Sequence, residues 1–427
     1  MCGLLTKYQI LLYFVMALLT FSAQGCQKRV YLMPTPAMWA TGELNPFSIN
    51  PKLEEGSRVD VFFATNRSPR GDSENRTYSI FPGTKLRVGT IHFTIGGKEM
   101  EWEKLLRLSI SEDKERPALH IEELEEMAAV PLDDEAYPLP AGFKSFSDSI
   151  NDLLARSIDK DIMVYVHGAN SSVYRAGAQA AQFRHFTGRN SVVLVFLWPS
   201  AENLLQYGKD VRHAKKSAAA FKRLITFLSD YTTAENINIL AYSAGAQITS
   251  PGLAILGRKT EKEKRQRLRI GEVYYAAADE GVDSFVKNLK TYIDIPRNVT
   301  FTVNIKDRVL AIAESYHKIS RIGRPRKEDF DPDDASWVRR ASNEYNLDII
   351  GVGEETVPGM PSKSHDFWYT HPWISSDVLV QFVYHANARK RGLVQNHTEK
   401  GLEYWTFPPD YVTRLTKQIL EADQEKK

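Results

Sequence analysis

Ile237-Asn-Ile-Leu-Ala-Tyr-Ser-Ala-Gly-Ala-Gln247 decides how this chain is read. An apolar, β-favouring run ends abruptly at Ser243 among small residues, and helix-compatible Gln247-Ile-Thr249 follows. A serine held on a sharp strand-to-helix turn presents its hydroxyl at the end of a sheet, the layout of a nucleophile elbow, G-x-S-x-G. Such a turn brings the two backbones together and leaves no room for large neighbours. Ala241 replaces the first glycine of the pattern, so the motif reads Ala241-Tyr-Ser-Ala-Gly245. A plain turn or helix-cap serine would fit the same five residues, so the elbow must be judged by its partners.

Outward from the elbow the pattern is regular. Upstream lie the continuous apolar strand Ile162–Val166, ending in His167-Gly168, and a helix-like Val173–His185. The strand Val192–Trp198 follows, stopped by Pro199, and then a long amphipathic helix, Asn203–Tyr231. Downstream the spacing predicts helix Leu253–Arg267, strand Gly271–Ala277, helix Val282–Leu289, and strands Val299–Ile305 and Leu347–Val352. Apolar strands alternating with helices are the signature of an α/β fold: a mostly parallel central sheet with helices on both faces. Nearer the N-terminus, Arg58–Thr65 and Leu86–Ile95 read as strands, Leu119–Met127 is strand or helix, and Phe143–Ile158 has helical spacing. Ser376–Val383 and Tyr411–Gln424 complete the helices, the second on the surface.

The 427 residues are ample for a sizeable core, with 43% hydrophobic and 25% charged residues. A net charge of +2 offers no basic excess to neutralise phosphates, which argues against a nucleic-acid partner. The basic run Lys259–Arg269 is interleaved with glutamates and reads as a solvated helix face. The two cysteines, Cys2 and Cys26, leave the body without a disulfide framework or a cysteine metal site. Ile10–Ala23 is apolar over about fourteen residues, short for a membrane span and suited to a signal-peptide core. Ala23-Gln-Gly-Cys26 resembles a bacterial lipoprotein processing site, although Ala23-x-Gly25 also suits ordinary signal peptidase. The expected organisation is a signal peptide over 1–25, an extended tether over 26–57 and one α/β domain over 58–427. Within that domain, 58–160 holds N-terminal strands and a helix, 161–390 the core and 391–427 a C-terminal extension.

A nucleophilic serine needs a base, an acid to orient the base, and backbone donors where negative charge develops. Strand-sheet hydrolases of the elbow type supply these in the order Ser, Asp or Glu, His, from successive strand ends. Asp307 follows the penultimate strand, and Ser364-His365-Asp366-Phe367 lies beyond the last. Ser243, Asp307 and His365 are therefore the candidate catalytic residues. Asp279, just past the preceding strand, is the alternative acid. The oxyanion donors are assigned to the amides of Ala244 and Ala169. His167 precedes the nucleophile strand and is expected to fix the oxyanion loop. His213 reads as a surface residue, His371 as a turn residue and His385 as packing or surface.

Several motifs occur together: Val61-Phe-Phe-Ala-Thr-Asn-Arg67, Val166-His-Gly-Ala-Asn170, Phe196-Leu-Trp-Pro-Ser200, Ala277-Ala-Asp279, Asp307-Arg-Val-Leu310, Arg321-Ile-Gly323 and Ser364-His-Asp-Phe367. With the elbow, they resemble a bacterial α/β-hydrolase family of unknown function (domain of unknown function 900), often exported as lipoproteins. The resemblance covers roughly Arg58 to Ala386. It implies an α/β-hydrolase fold, with Ser243, Asp307 and His365 on the family's triad positions. The family's usual His-Ser-x-Gly elbow is here Tyr242-Ser-Ala-Gly245, and its glycine before the final histidine is Ser364.

The resulting expectation is an exported serine esterase or related acyl hydrolase acting on a small-molecule ester, with no metal or organic cofactor implied. Cys26 is the expected lipidation site, holding the protein on the outer membrane facing the periplasm; Gln27 in place of aspartate favours that leaflet. A soluble periplasmic or secreted form is the alternative location. A non-catalytic envelope protein on the same scaffold, and an acyltransferase or peptidase with the same triad, are the alternative functions.

Overall fold

The computed structural model describes residues 29–50, 55–132 and 140–425. The expected signal segment and Cys26 lie outside the described residues. Among the described residues, eleven strands form one sheet in the order β10-β11-β9-β8-β7-β6-β4-β5-β1-β2-β3. β4 (Ile162–Val166), β5 (Val192–Leu197), β6 (Ile237–Tyr242), β7 (Ile270–Ala276), β8 (Asn298–Val303) and β9 (Leu347–Gly351) run parallel to one another. β1 (Arg58–Arg70) joins β5 in parallel and pairs antiparallel with β2 (Thr77–Ile95), which pairs with β3 (Leu119–Pro131). The ambiguous Leu119–Met127 segment is thus strand, because β2 offers it a free edge.

Both sheet faces are covered, as continuous apolar strands require. Ile162, Val164 and Val166 point into one core, against helices α1 (Ala141–Arg156), α2 (Tyr207–Tyr231), α3 (Ala246–Lys259) and α4 (Val282–Tyr292). Met163 and Tyr165 point into the other, against Val173–Phe186, Pro372–Tyr384 and Tyr411–Glu425. The helix placed over Leu253–Arg267 starts instead at Ala246, immediately after the elbow, and ends at Lys259; a 3-10 turn spans Lys262–Leu268. No helix among the described residues is long and apolar enough to cross a membrane.

Two expectations about the ends need correction. The described part of the supposed tether is packed on the domain: Leu32, Met33, Met38 and Trp39 are buried. Its backbone and indole are tied to distant groups, Leu32 N to Pro117 O (2.9 Å) and Trp39 Nε1 to Phe186 O (3.0 Å). Its prolines and polar residues look like a linker, but its apolar side chains find a core surface contributed by residues far along the chain. The C-terminal extension is likewise integral. β10 (Val394–His397) and β11 (Glu403–Thr406) extend the sheet beyond β9, so β9 is not the last strand. Arg391 is fully buried and bridges Asp348 (3.0 Å) and Asp377 (3.1 Å), joining the extension to the sheet.

Candidate active site

Ser243 follows β6 directly, with φ of 52°, a left-handed conformation that is strained for a non-glycine residue. The strain holds because its surroundings leave nothing larger room. A Cβ on Gly245 would sit 2.4 Å from Val166 O, and one on Gly168 would sit 3.0 Å from Ser243 Cβ. The Ser243 carbonyl also accepts the Asp279 amide at 3.0 Å, which fastens the elbow to the end of β7.

Asp307 ends the connection from β8 and caps the helix Arg308–His317. One carboxylate oxygen accepts from Leu310 N at 2.9 Å, and the other from His365 Nδ1 at 2.7 Å. His365 Nε2 lies 2.9 Å from Ser243 Oγ. The structure therefore brings Ser243, His365 and Asp307 into one hydrogen-bonded chain, with Asp307 fully buried. With Nδ1–H donating to Asp307, Nε2 is left to accept from the serine hydroxyl, the geometry that allows proton transfer. His365 arrives from the β9 side through a loop held by Asn304, whose side chain donates to Ser364 O at 2.8 Å.

Asp279 does not reach the histidine. It is buried at the end of β7, ion-paired with Arg321 at 2.6 Å, and accepts the Tyr207 hydroxyl at 2.6 Å. Arg321 was visible only as part of a motif; nothing local in the sequence says which carboxylate it meets.

The loop after β4 is fixed from several directions. His167 Nδ1 donates to Gly168 O at 2.8 Å, and its ring stacks on Trp198 at 5.1 Å. Burial, with the Arg67 charge nearby, depresses the His167 pKa to about 3, so the ring is neutral. Arg67 donates to Ser171 O (2.8 Å) and Trp198 O (2.9 Å), and Asp210 accepts from Asn170 N (3.0 Å). Arg67 and Asp210 thus immobilise the segment that carries Ala169; sequence reasoning assigned neither of them a role. The Ala169 and Ala244 amides donate to no other described group, so both remain open to a ligand.

Tyr242, the residue before Ser243, packs its ring 5.4 Å from His365 and edge-on to Tyr369. Tyr242 thus walls His365 with an aromatic face. His213, expected at the surface, is buried and its Nδ1 donates to Pro199 O at 2.8 Å. Lysine-rich neighbours mark the helix as exposed, but the His213 side of it faces the Trp198-Pro-Ser200 turn. His371 caps the helix Pro372–Tyr384 by accepting from Trp373 N, and His385 ends that helix beside Asp161.

Residues 143–352 match the sequence model of a family described as alpha/beta hydrolase of unknown function (DUF900). This segment belongs to that family. The α/β-hydrolase segment contains Ser243, Asp279 and Asp307 and stops short of His365, which only the folded chain brings to Ser243 and Asp307. Comparison with curated proteins gave no match. The α/β-hydrolase scaffold accounts for the central parallel strands, while β1–β3, β10 and β11 build outward from it.

Proposed function

We propose that this protein is a serine acyl hydrolase acting on carboxylic esters. The observation that carries the reading is the continuous chain Ser243 Oγ–His365 Nε2–His365 Nδ1–Asp307 Oδ2, at 2.9 and 2.7 Å. In the proposed cycle Ser243 Oγ attacks the ester carbonyl while its proton passes to His365 Nε2. The tetrahedral oxyanion is held by the amides of Ala169 and Ala244. Collapse breaks the bond to the leaving alkoxide, which takes the proton from His365, and leaves an acyl-serine. Water then attacks the acyl-serine, giving its proton to His365; collapse breaks the acyl–Oγ bond, His365 returns the proton to Ser243 Oγ, and the carboxylic acid is released. Asp307 keeps the imidazole in the useful tautomer and stabilises it when charged.

Within this reading the protein is exported and Cys26 carries lipid on the outer membrane. Two or more acyl chains would hold it there stably, at about 0.8 kcal/mol per buried methylene. Cys26→Ser, followed by fractionation and mass analysis of the mature N-terminus, tests the anchor separately from the chemistry.

The chemistry is tested with a fluorophosphonate probe and 4-nitrophenyl butyrate. Labelling should map to Ser243, and Ser243→Ala should lower turnover by roughly four to six powers of ten. Equal hydrolysis by wild type and Ser243→Ala would end the proposal.

A further inference from the structure

The helix Arg308–His317 buries only one side. Leu310 and Ala313 enter the core, whereas Val309, Ile312 and Tyr316 recur at helical spacing on the outer side. Ile305, just ahead of Asp307, continues the stripe. Exposure reaches 66% for Ile305, 63% for Ile312 and 55% for Tyr316. Tyr316 meets Tyr207 edge to face at 5.4 Å, and a Cβ on Gly208 would lie 2.5 Å from its hydroxyl, so the two segments are in direct contact. Two residues before Tyr207 stands Leu205, 95% exposed, the most exposed large apolar side chain among the described residues.

This surface borders the candidate site. Asp307 lies between Ile305 and Val309, and Tyr207 bonds Asp279, whose amide holds the Ser243 carbonyl. Lys363, two residues before His365, accepts the Arg308 amide through its carbonyl at 3.4 Å.

Its charge is one-sided. Arg212, Lys215 and Lys216 stand exposed on the first turns of Tyr207–Tyr231, and Arg308, Lys318 and Lys363 surround the apolar stripe. None of these six forms an ion pair with a described residue. The acids nearby are mostly engaged: Glu314 with Arg324 and Arg326, Glu202 with Arg67, Glu354 and Glu355 with Lys306. Asp366 is the exposed exception, and its carboxylate accepts from Ser364. Apolar side chains in the middle of unpaired cations match an anionic bilayer, where the apolar groups enter the acyl boundary and the cations meet headgroup phosphates. A soluble acidic protein would satisfy the cations, but it would not call for a leucine and an isoleucine standing clear of the surface.

We propose that this face docks on an anionic lipid bilayer and that the Ser243 site draws its esters from that lipid. The second half rests on the serine-hydrolase reading; the docking itself does not. The same chain supplies a contrast: the basic turn Lys262–Leu268, at the opposite ends of the strands, carries charge without an exposed apolar stripe.

The test places an environment-sensitive nitrobenzoxadiazole label on Ile312→Cys in the full chain with Cys2→Ser and Cys26→Ser, and on Lys264→Cys as the control. On vesicles of phosphatidylcholine with about 30% phosphatidylglycerol, the label at 312 should shift to the blue with about a twofold rise in emission. The label at 264 should not respond, and Lys215→Glu with Lys216→Glu should weaken the response at 312. An unchanged label at 312, or an equal response to pure phosphatidylcholine, overturns the docking. Fatty-acid release from the same vesicles supports the lipid substrate. Cleavage of 4-nitrophenyl butyrate with the vesicle lipid untouched overturns the lipid substrate alone. A blue-shifted 312 label without fluorophosphonate reaction at Ser243 would leave the docking standing and remove the hydrolase reading.

Discussion

Two aspartates stand at the ends of neighbouring parallel strands, and they have opposite fates. Asp279 leaves β7 and meets a guanidinium; Asp307 leaves β8 and meets an imidazole. Both are buried, and both touch the neighbourhood of Ser243, Asp279 through its amide and Asp307 through His365. The difference lies in what each partner can do. A guanidinium does not exchange its proton in a catalytic cycle, so the Arg321–Asp279 pair is a fixed buried clamp beside the elbow. His365 can take and release a proton, so its bond to Asp307 can take part in a reaction cycle. Position at a strand end is thus insufficient to define an orienting acid; the identity of the residue brought across from elsewhere decides it.

The largest expected effect is on the Asp307 side. Asp307→Asn should keep the helix cap, since asparagine caps as well as aspartate. It should lower kcat/KM for 4-nitrophenyl butyrate by roughly three to four powers of ten through the wrong imidazole tautomer. Near-normal turnover in this variant would break the comparison at once. On the other side, Asp279→Asn leaves Arg321 as a buried cation and should cost about 3 kcal/mol in denaturant unfolding. Its kcat in the folded fraction should stay within roughly tenfold of wild type, because Asp279 touches no reacting atom. An inactive but stable Asp279→Asn, beside an active Asp307→Asn, would reverse the two assignments.

A smaller effect comes from Glu280, next to Asp279. Burial pushes its carboxyl from 4.5 up to about 8, and one of its oxygens has no hydrogen-bond partner among the described residues. The folded chain therefore keeps a proton that the unfolded chain releases between these values. Stability from this group falls as pH rises from about 4.5 towards 8. Glu280→Gln should remove that slope, raising Tm relative to wild type at pH 8 and leaving it nearly unchanged at pH 4. A parallel Tm–pH profile for both proteins would contradict it. The smallest effect belongs to Tyr207→Phe, which deletes one hydrogen bond to Asp279. It should cost about 1 kcal/mol in stability, measured by urea unfolding, and change kcat less than Asp279→Asn does. A larger loss of kcat than in Asp279→Asn would move Tyr207 into contact with substrate.

Much of this contrast could be anticipated from local pattern. The apolar runs at Ile162, Val192 and Ile237, each followed by a turn and a helix, carry the parallel core because their side chains must be covered on both faces. The small residues around Ser243 mark a turn where backbones approach. Other features stayed hidden because their cause lies far along the chain. Leu119–Pro131 is strand only because β2 is there to pair with it, and the 29–50 segment is packed only because residues such as Gln182 and Ser376 meet its amides. His213 looked solvated among lysines, but the turn after β5 covers it.

By itself the sequence determined the alternation of strands and helices, the strained serine turn and the chain order in which acid and base candidates follow it. These are properties of neighbouring residues, written in hydrophobic period and side-chain size. The tertiary structure decided which aspartate faces His365, which faces Arg321, and that Arg67 and Asp210 hold the loop carrying Ala169. It also decided that Ile312 and Tyr316 remain outside the core although their helical spacing would suit burial, and that Leu205 stands exposed beside them. Pairings of this kind join residues tens to hundreds of positions apart, so they exist only once the sheet has set its strand order and aligned the strand ends.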